Sequence, residues 1–430
     1  MRLLQLISRP FSVLTPGLTS GLTARLTATA VTLTVAGAGV VAGGAAAPAA
    51  ARTDVSLPKA TKVADTSFEV GDDFGLGRRN GASVVGDTVR LTDPRRVRRI
   101  AGQRYDAATW TSPWVDESFA FTELIPSWQA RTPGRSLVEV RVRLRTKGAD
   151  GRTVRGTWDT VARWARVTKH FARTSLDAQT DDLARVAVDT VRTNAATGAT
   201  GWQVRVVLLR PEGKTAKPRL ERVGAMASHV VARSRTSKPG KAAGTVIDVP
   251  RYSQMVHRGH HPEWGNGGEA WCSPTSTAMV LEHYGANPRK GHRFKPGHAD
   301  AIVDWTASMT YDHGYRGTGN WAFNTAYAGL RVPHARVTRL PQLRAAEKYV
   351  RAGTPLIVSV AFDRGELRGA PISATAGHLM VLVGFTESGD VVVNDPAAPD
   401  NASVRRTYDR AQFEKAWLTK SGGLTYVLED

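Results

Sequence analysis

Cysteine is almost missing from this chain: a single residue, Cys272, among 430. An internal disulfide framework is thereby excluded, and stability has to come from packed cores. Long apolar runs are scarce as well. The amino-terminal run from Ala28 to Val41 has about 14 residues, short of the ~20 that a spanning helix needs, and no later segment is apolar enough to cross a bilayer. Acidic residues are few beside basic ones, 38 Asp and Glu against 58 Lys and Arg, for a formal net charge of +20. That balance favours anionic partners such as wall polymers, acidic lipids or acidic substrates. Nucleic acid is not expected among them, because the basic residues are scattered and no RNP, zinc-finger or basic-zipper pattern is present. Apolar residues at 41% are enough for packed cores, and 430 residues suggest two domains.

The first 51 residues read as an export signal. Arg2, Arg9 and Arg25 precede the apolar run, and small residues from Ala45 to Ala51 follow it, as at a signal cleavage site. With no cysteine after the run, a lipoprotein anchor is excluded. The expectation is a secreted protein, possessing no cofactor and free of the membrane after cleavage.

From 65 to 231 the pattern is short alternating strands separated by turns such as Asn80-Gly81, Lys147-Gly148 and Glu212-Gly213. In Leu137–Arg145 the valines and Leu144 fall on one face, and Glu139 with three arginines on the other, the period of a half-buried strand. An all-β sandwich is the expected fold. Residues 232–245, rich in Ser, Lys and Gly, read as an exposed, flexible linker. Beyond it, 246–430 reads as helices first and an antiparallel sheet afterwards, an α+β arrangement. Helices are expected over Ser273–Tyr284, His298–Met309, from Asn320, and over Pro341–Ala352. Strands are expected over Val246–Pro250, Pro355–Ala361, Leu379–Phe385, Val391–Asn394 and Leu424–Leu428, with a last helix capped by Asp409.

An unpaired thiol in an exported chain calls for an explanation. Cys272 lies in Trp271-Cys272-Ser273-Pro274-Thr275-Ser276, where a glycine-rich loop turns into a helix whose N-terminus favours a thiolate. Gly377-His378 opens one strand of the expected hairpin and Asn394-Asp395-Pro396 closes the other, so imidazole and carboxylate can meet at one end of the sheet. A thiol, an imidazole and a carboxylate in that order form a candidate nucleophilic triad. The Cys272 backbone N–H and the Gln254 side chain could stabilise an oxyanion, and Trp271 and Gly377 flank the chemistry as candidate substrate contacts.

Taken together, Gln254, Trp271-Cys272-Ser273-Pro274-Thr275-Ser276, Gly377-His378 and Asn394-Asp395-Pro396 resemble the papain-like cysteine peptidases. The nearest resemblance is to the bacteriocin-processing peptidases, cysteine-peptidase family thirty-nine, and their secreted relatives. It covers Val246 to Asp430 and implies Cys272 as nucleophile, His378 as general base, Asp395 as its orienter and Gln254 as oxyanion residue. Ser273 departs from the glycine of many members. The ATPase fused to the exporter members is absent, so their double-glycine substrates are not carried over. The front half resembles the jelly-roll-like region found ahead of such peptidases in secreted proteins of actinobacterial type. The reading is an exported peptidase acting on a peptide or protein, with transpeptidation and deamidation open because they share the acyl-enzyme step.

Two rival classes remain at this point. His257, His260, His261 and Glu263, with His292, His298 and Cys272, could hold zinc, although their spacing matches no zinc signature and solvated histidines are the plainer reading. Alternatively, a wall- or carbohydrate-binding front half could stand before an inactive peptidase fold. Trp110, Trp114, Trp128, Trp158, Trp164 and Trp202 could then stack on sugars, although packing is the commoner use of such residues. The basic front half would meet an anionic wall or envelope polymer.

Overall fold

In the computed structural model the described residues are 56–169, 171–176, 179–232, 235–294 and 300–430. The expected signal segment 1–51 and His298 lie outside them.

Alternation along the front half builds two antiparallel sheets. One, of eight strands, centres on Glu123–Arg131 paired with Arg219–His229; the other, of nine, centres on Leu137–Lys147 paired with Ala199–Pro211. Val138, Val140, Val142 and Leu144 face the core, as the period-two pattern requires, and meet Trp128 and Trp202 there. Trp110, Trp128, Trp164 and Trp202 are fully buried, which removes four of the six tryptophans from any sugar-stacking role.

The second half holds a six-stranded antiparallel sheet in the order His334–Arg339, Leu424–Glu429, Leu356–Phe362, Thr375–Phe385, Val391–Asn394, Arg405–Tyr408. Leu356–Phe362 is buried at every position, as its apolar sequence, interrupted only by Ser359, predicts for an inner strand covered on both faces. The helix Cys272–His283 packs against Thr375–Phe385 and is buried from Ser273 to Leu281. A helix covered all round must satisfy its polar side chains internally. Ser273 Oγ shares a hydrogen bond with Tyr426 Oη (3.0 Å), Ser276 Oγ donates to the Leu379 carbonyl (3.2 Å), and Thr277 Oγ1 donates to the Ser273 carbonyl (2.9 Å). Asn320 caps Trp321–Ala328 and Asp409 caps Arg410–Glu414, as expected. Val246–Pro250 is not a full strand; it contributes one bridge, Val246 to Gly384.

Within residues 235–245, Arg235, Thr236, Lys238, Pro239, Lys241 and Gly244 are exposed, while the backbone is tied down at Ser237 and Gly240. Buried Arg410 donates from Nε to the Ser237 carbonyl (2.7 Å) and pairs with Glu347 (3.0 Å), while Glu347 also accepts from the Gly240 N–H (3.0 Å). Polar composition suggested exposure, but these backbone groups find buried charged partners that composition cannot reveal. The two halves also share one apolar core. Trp128 meets Phe323 edge-on at 6.1 Å, and Gln129 donates to the carbonyls of Gly329, Val332 and Pro333.

Candidate active site

The first turn of Cys272–His283 contains no acidic residue, so the positive end of the helix dipole acts undiminished on the thiol. Cys272 is partly exposed. Burial by itself pushes the Cys272 thiol up. The hydrogen bond and charge of His378 and the N–H groups of Leu379 and Ser273 outweigh it, and the net direction is down.

His378 begins the buried stretch of Thr375–Phe385 and is 3% exposed. Its Nε2–H donates to Asp395 Oδ1 at 2.7 Å, which leaves Nδ1 as the ring atom for Cys272. Burial disfavours the charged imidazole, but Asp395 and Cys272 more than offset it and raise His378 to about 10. Asp395 is fully buried and follows Asn394 at the end of Val391–Asn394. Besides His378, it accepts from Tyr408 Oη (2.7 Å) and the Ala397 N–H (3.0 Å). Burial opposes its charge, and these partners, His378 foremost, hold it below the usual carboxylate range. Tyr408 was not foreseen. It sits on Arg405–Tyr408, a strand too short and too arginine-rich to read from the sequence.

Gln254 opens a short 3-10 turn, Gln254–His257, capped by the Ser253 hydroxyl. Its own N–H donates to the Pro396 carbonyl (2.8 Å), which ties it to the loop after Asp395. One amide hydrogen is donated to the Glu269 carbonyl (2.6 Å), three residues before Cys272, leaving the second free. Gly268 allows this approach: a Cβ there would stand 2.3 Å from the His257 carbonyl oxygen and 2.6 Å from that of Gln254.

Trp271, expected at the substrate, is turned inward. Fully buried, it packs with Ala278, Ile302, Val303 and Ala307 and donates from Nε1 to the Trp264 carbonyl (2.9 Å). Its ring supports the helix start, and the expected contact is corrected on that ground. Gly377 is exposed, and a Cβ there would meet no atom within 4 Å, so the rim beside His378 is open. Tyr315, half-exposed, was also missed. Burial and then the charges of Asp189, Cys272 and Asp312 push its hydroxyl up.

The histidines considered for zinc do not gather as one set. His257 Nδ1 and His260 Nδ1 each lie 2.9 Å from a different oxygen of buried Asp304, and the three donors fall within 4.8 Å of one another. Burial first raises Asp304, and the two imidazoles then lower it below its ordinary value. His261 instead pairs with Glu263 (3.1 Å) and stacks on Trp264 (4.1 Å), while His292 pairs with Glu282 (3.1 Å). Both donor nitrogens near Asp304 are spent on hydrogen bonds that clamp Gln254–His257 to the helix Ala301–Thr310.

Residues 64–228 match the family model described as Peptidase C39 N-terminal domain, and residues 246–424 match the one described as Peptidase_C39 like family. The chain belongs to the C39-type cysteine peptidases and has their N-terminal β domain. Cys272, His378, Asp395 and Gln254 all fall within the C39-like match. No curated protein matches the chain. Among solved structures, one titled "Structure of infectious bursal disease virus Gt strain" is similar at 16% identity and a TM-score of 0.20, over 39% of this chain and 33% of that one. So slight a likeness carries no argument about this C39-type chain.

Proposed function

We propose that this C39-type protein is an exported, papain-like cysteine peptidase that cleaves peptide bonds through a thioester on Cys272. The observation that carries the reading is the single cysteine at a helix N-terminus, its thiol pKa lowered by an imidazole whose Nε2 donates to a buried carboxylate. The Cys272 thiolate attacks the peptide carbonyl carbon, and the carbonyl electron pair moves to oxygen. The free amide hydrogen of Gln254 and the Cys272 N–H stabilise that charge. Collapse of the intermediate breaks the C–N bond, and the departing amine takes the proton from His378 Nδ1. Neutral His378 then draws a proton from water, hydroxide adds to the thioester, and the acid leaves as the thiolate returns. Asp395 keeps the ring oriented and stabilises its charged form, and Tyr408 holds Asp395. Ser273 does not obstruct this scheme, because its hydroxyl is occupied by Tyr426.

An electrophilic peptide probe tests the reading. Labelling should be lost in Cys272→Ala and strongly reduced in His378→Ala; equal labelling of wild type and His378→Ala would leave only an exposed thiol. Export is tested separately by mass spectrometry of protein from the medium, which should begin between Ala45 and Arg52.

A further inference from the structure

A wide cavity lies in the β domain, on the outer face of the nine-stranded sheet. It has a volume of about 860 Å³, and among the described residues its lining includes eight arginines and no carboxylate. Strand register explains the crowding. Arg141 stands directly opposite Arg205, Arg205 opposite Thr111, and Thr111 opposite Arg78, so one row across four strands carries three guanidinium groups. Like charges directly opposite in a sheet are destabilising. Glu139 relieves one end of the groove by pairing with Arg98, Arg141 and Arg163 at 2.6 to 2.8 Å. Among the described residues, the hydrogen-bond partners of Arg143 and Arg205 are neutral, Gln203 Oε1 and Thr111 Oγ1. Burial and then the charges of Arg155 and Arg78 lower the Arg143 guanidinium, and burial with Arg143, Arg141 and Arg96 lowers that of Arg205. The groove is a preformed field of positive charge that the fold itself leaves unneutralised.

The aromatic residues narrow the ligand. Arg143 lies over Trp114 (4.9 Å) and Trp158 (4.6 Å), Arg205 over Trp158 (4.1 Å), and Arg145 over Trp114 (4.6 Å). Guanidinium groups thus cover these rings, which argues against their use as stacking platforms for sugars or unpaired bases. The same stacking fixes the planes of the guanidinium forks, whose geometry suits phosphate oxygens in bidentate fashion. A lone carboxylate or phosphate would engage one fork, whereas a row of several calls for regularly repeated anionic charge along one molecule.

We propose that this groove binds a phosphodiester-linked polyol polymer and so holds the protein on an anionic envelope surface. Binding resides wholly in the β domain and does not depend on the chemistry at Cys272.

The test compares two double variants of the full chain that each remove two positive charges. Arg78→Gln with Arg155→Gln alters exposed groove residues, and Lys214→Gln with Lys217→Gln alters an exposed loop of the same domain. Titration calorimetry with poly(glycerol phosphate) at fixed salt should show at least a 10-fold loss of affinity for the groove variant and less than 2-fold for the loop variant. Affinity should also fall as salt rises. Iodoacetamide alkylation of Cys272 at the wild-type rate in both variants would verify the fold. Equal losses in the two variants would reduce the effect to net charge and overturn the proposal. Equal or tighter binding of a polyuronate chain would overturn the phosphodiester assignment, and tighter binding of single-stranded DNA would reassign the groove to nucleic acid.

Discussion

Replacing Asp395 by alanine removes the carboxylate that accepts from His378 Nε2 and from Tyr408 Oη, both at 2.7 Å. Opposite unit charges centred about 4 Å apart in an effective dielectric of about 20 attract by about 4 kcal/mol, or about three pKa units. That attraction is the largest of the effects that overcome burial, beside the Asp395 hydrogen bond and the contacts of Cys272, and together they carry His378 to about 10 from its ordinary 6.5. Without the carboxylate, burial dominates and the imidazole falls below its ordinary value. His378 is then neutral at pH 7, and Cys272 loses the cation that sustains its thiolate. In the wild type the lowered Cys272 thiolate is lost as pH falls through its depressed pKa, and the imidazolium is lost as pH rises through about 10. The ion pair occupies the window between. Iodoacetamide alkylation of Cys272, followed by mass spectrometry across pH, should therefore show an acid limb well below the ~8.5 of a free thiol. Asp395→Ala should move that limb to or above the free-thiol value and cut kcat/KM on a peptide ~10²- to 10⁴-fold. Asp395→Asn keeps an acceptor for Nε2–H without the charge, so it should move the limb similarly and lose less activity. A wild-type acid limb in an Asp395→Ala protein with an unchanged circular dichroism spectrum would refute the reasoning.

Gly268→Ala should destabilise the protein by about 2–4 kcal/mol in urea unfolding, because the new Cβ meets the backbone carbonyls of His257 and Gln254, and activity should fall in whatever fraction folds. Buried Asp189 is raised to about 6 by burial, with Asp312 adding to the rise against the lowering by the Trp321 and Thr190 hydrogen bonds. Its charge therefore costs stability above about pH 6, and that cost fades as pH falls through 6. Asp189→Asn should accordingly raise the melting temperature at pH 8, by up to about 3 kcal/mol in stability, and the advantage should shrink below pH 6. A chain truncated to begin at Gly244 should be markedly less stable than the whole protein, since it exposes the core that Trp128 and Gln129 cover; denaturant unfolding of both checks this.

Much of the site was legible because its chemistry is written in local order. The glycine-rich loop, the single cysteine before Ser273-Pro274, and the helix period that follows suffice to put a thiol at a helix start. Short apolar runs bounded by turn residues announce the strand that carries His378 and the one that ends just before Asp395, and polar caps such as Asn320 and Asp409 mark helix starts whatever the surroundings. Tyr408 and the strand Arg405–Tyr408 were not legible, because their meaning lies in a hydrogen bond to a side chain 13 residues away across a sheet.

By itself the sequence determined the elements whose signals are local: alternating faces in the front half, a helix headed by the single thiol, the thiol, imidazole and carboxylate in order, and the excess of positive charge. Only the tertiary structure decided what those elements meet. It turned Trp271 inward, dispersed the histidines between Asp304, Glu263 and Glu282, and tied the polar connector at Ser237 and Gly240 to Arg410 and Glu347. It also gathered scattered arginines from five strands into one groove. Periodicity records which face a residue takes, since that depends on neighbours two to four positions away. Register across strands and contact between domains depend on pairings tens to hundreds of residues apart, and those are settled only when the whole core closes.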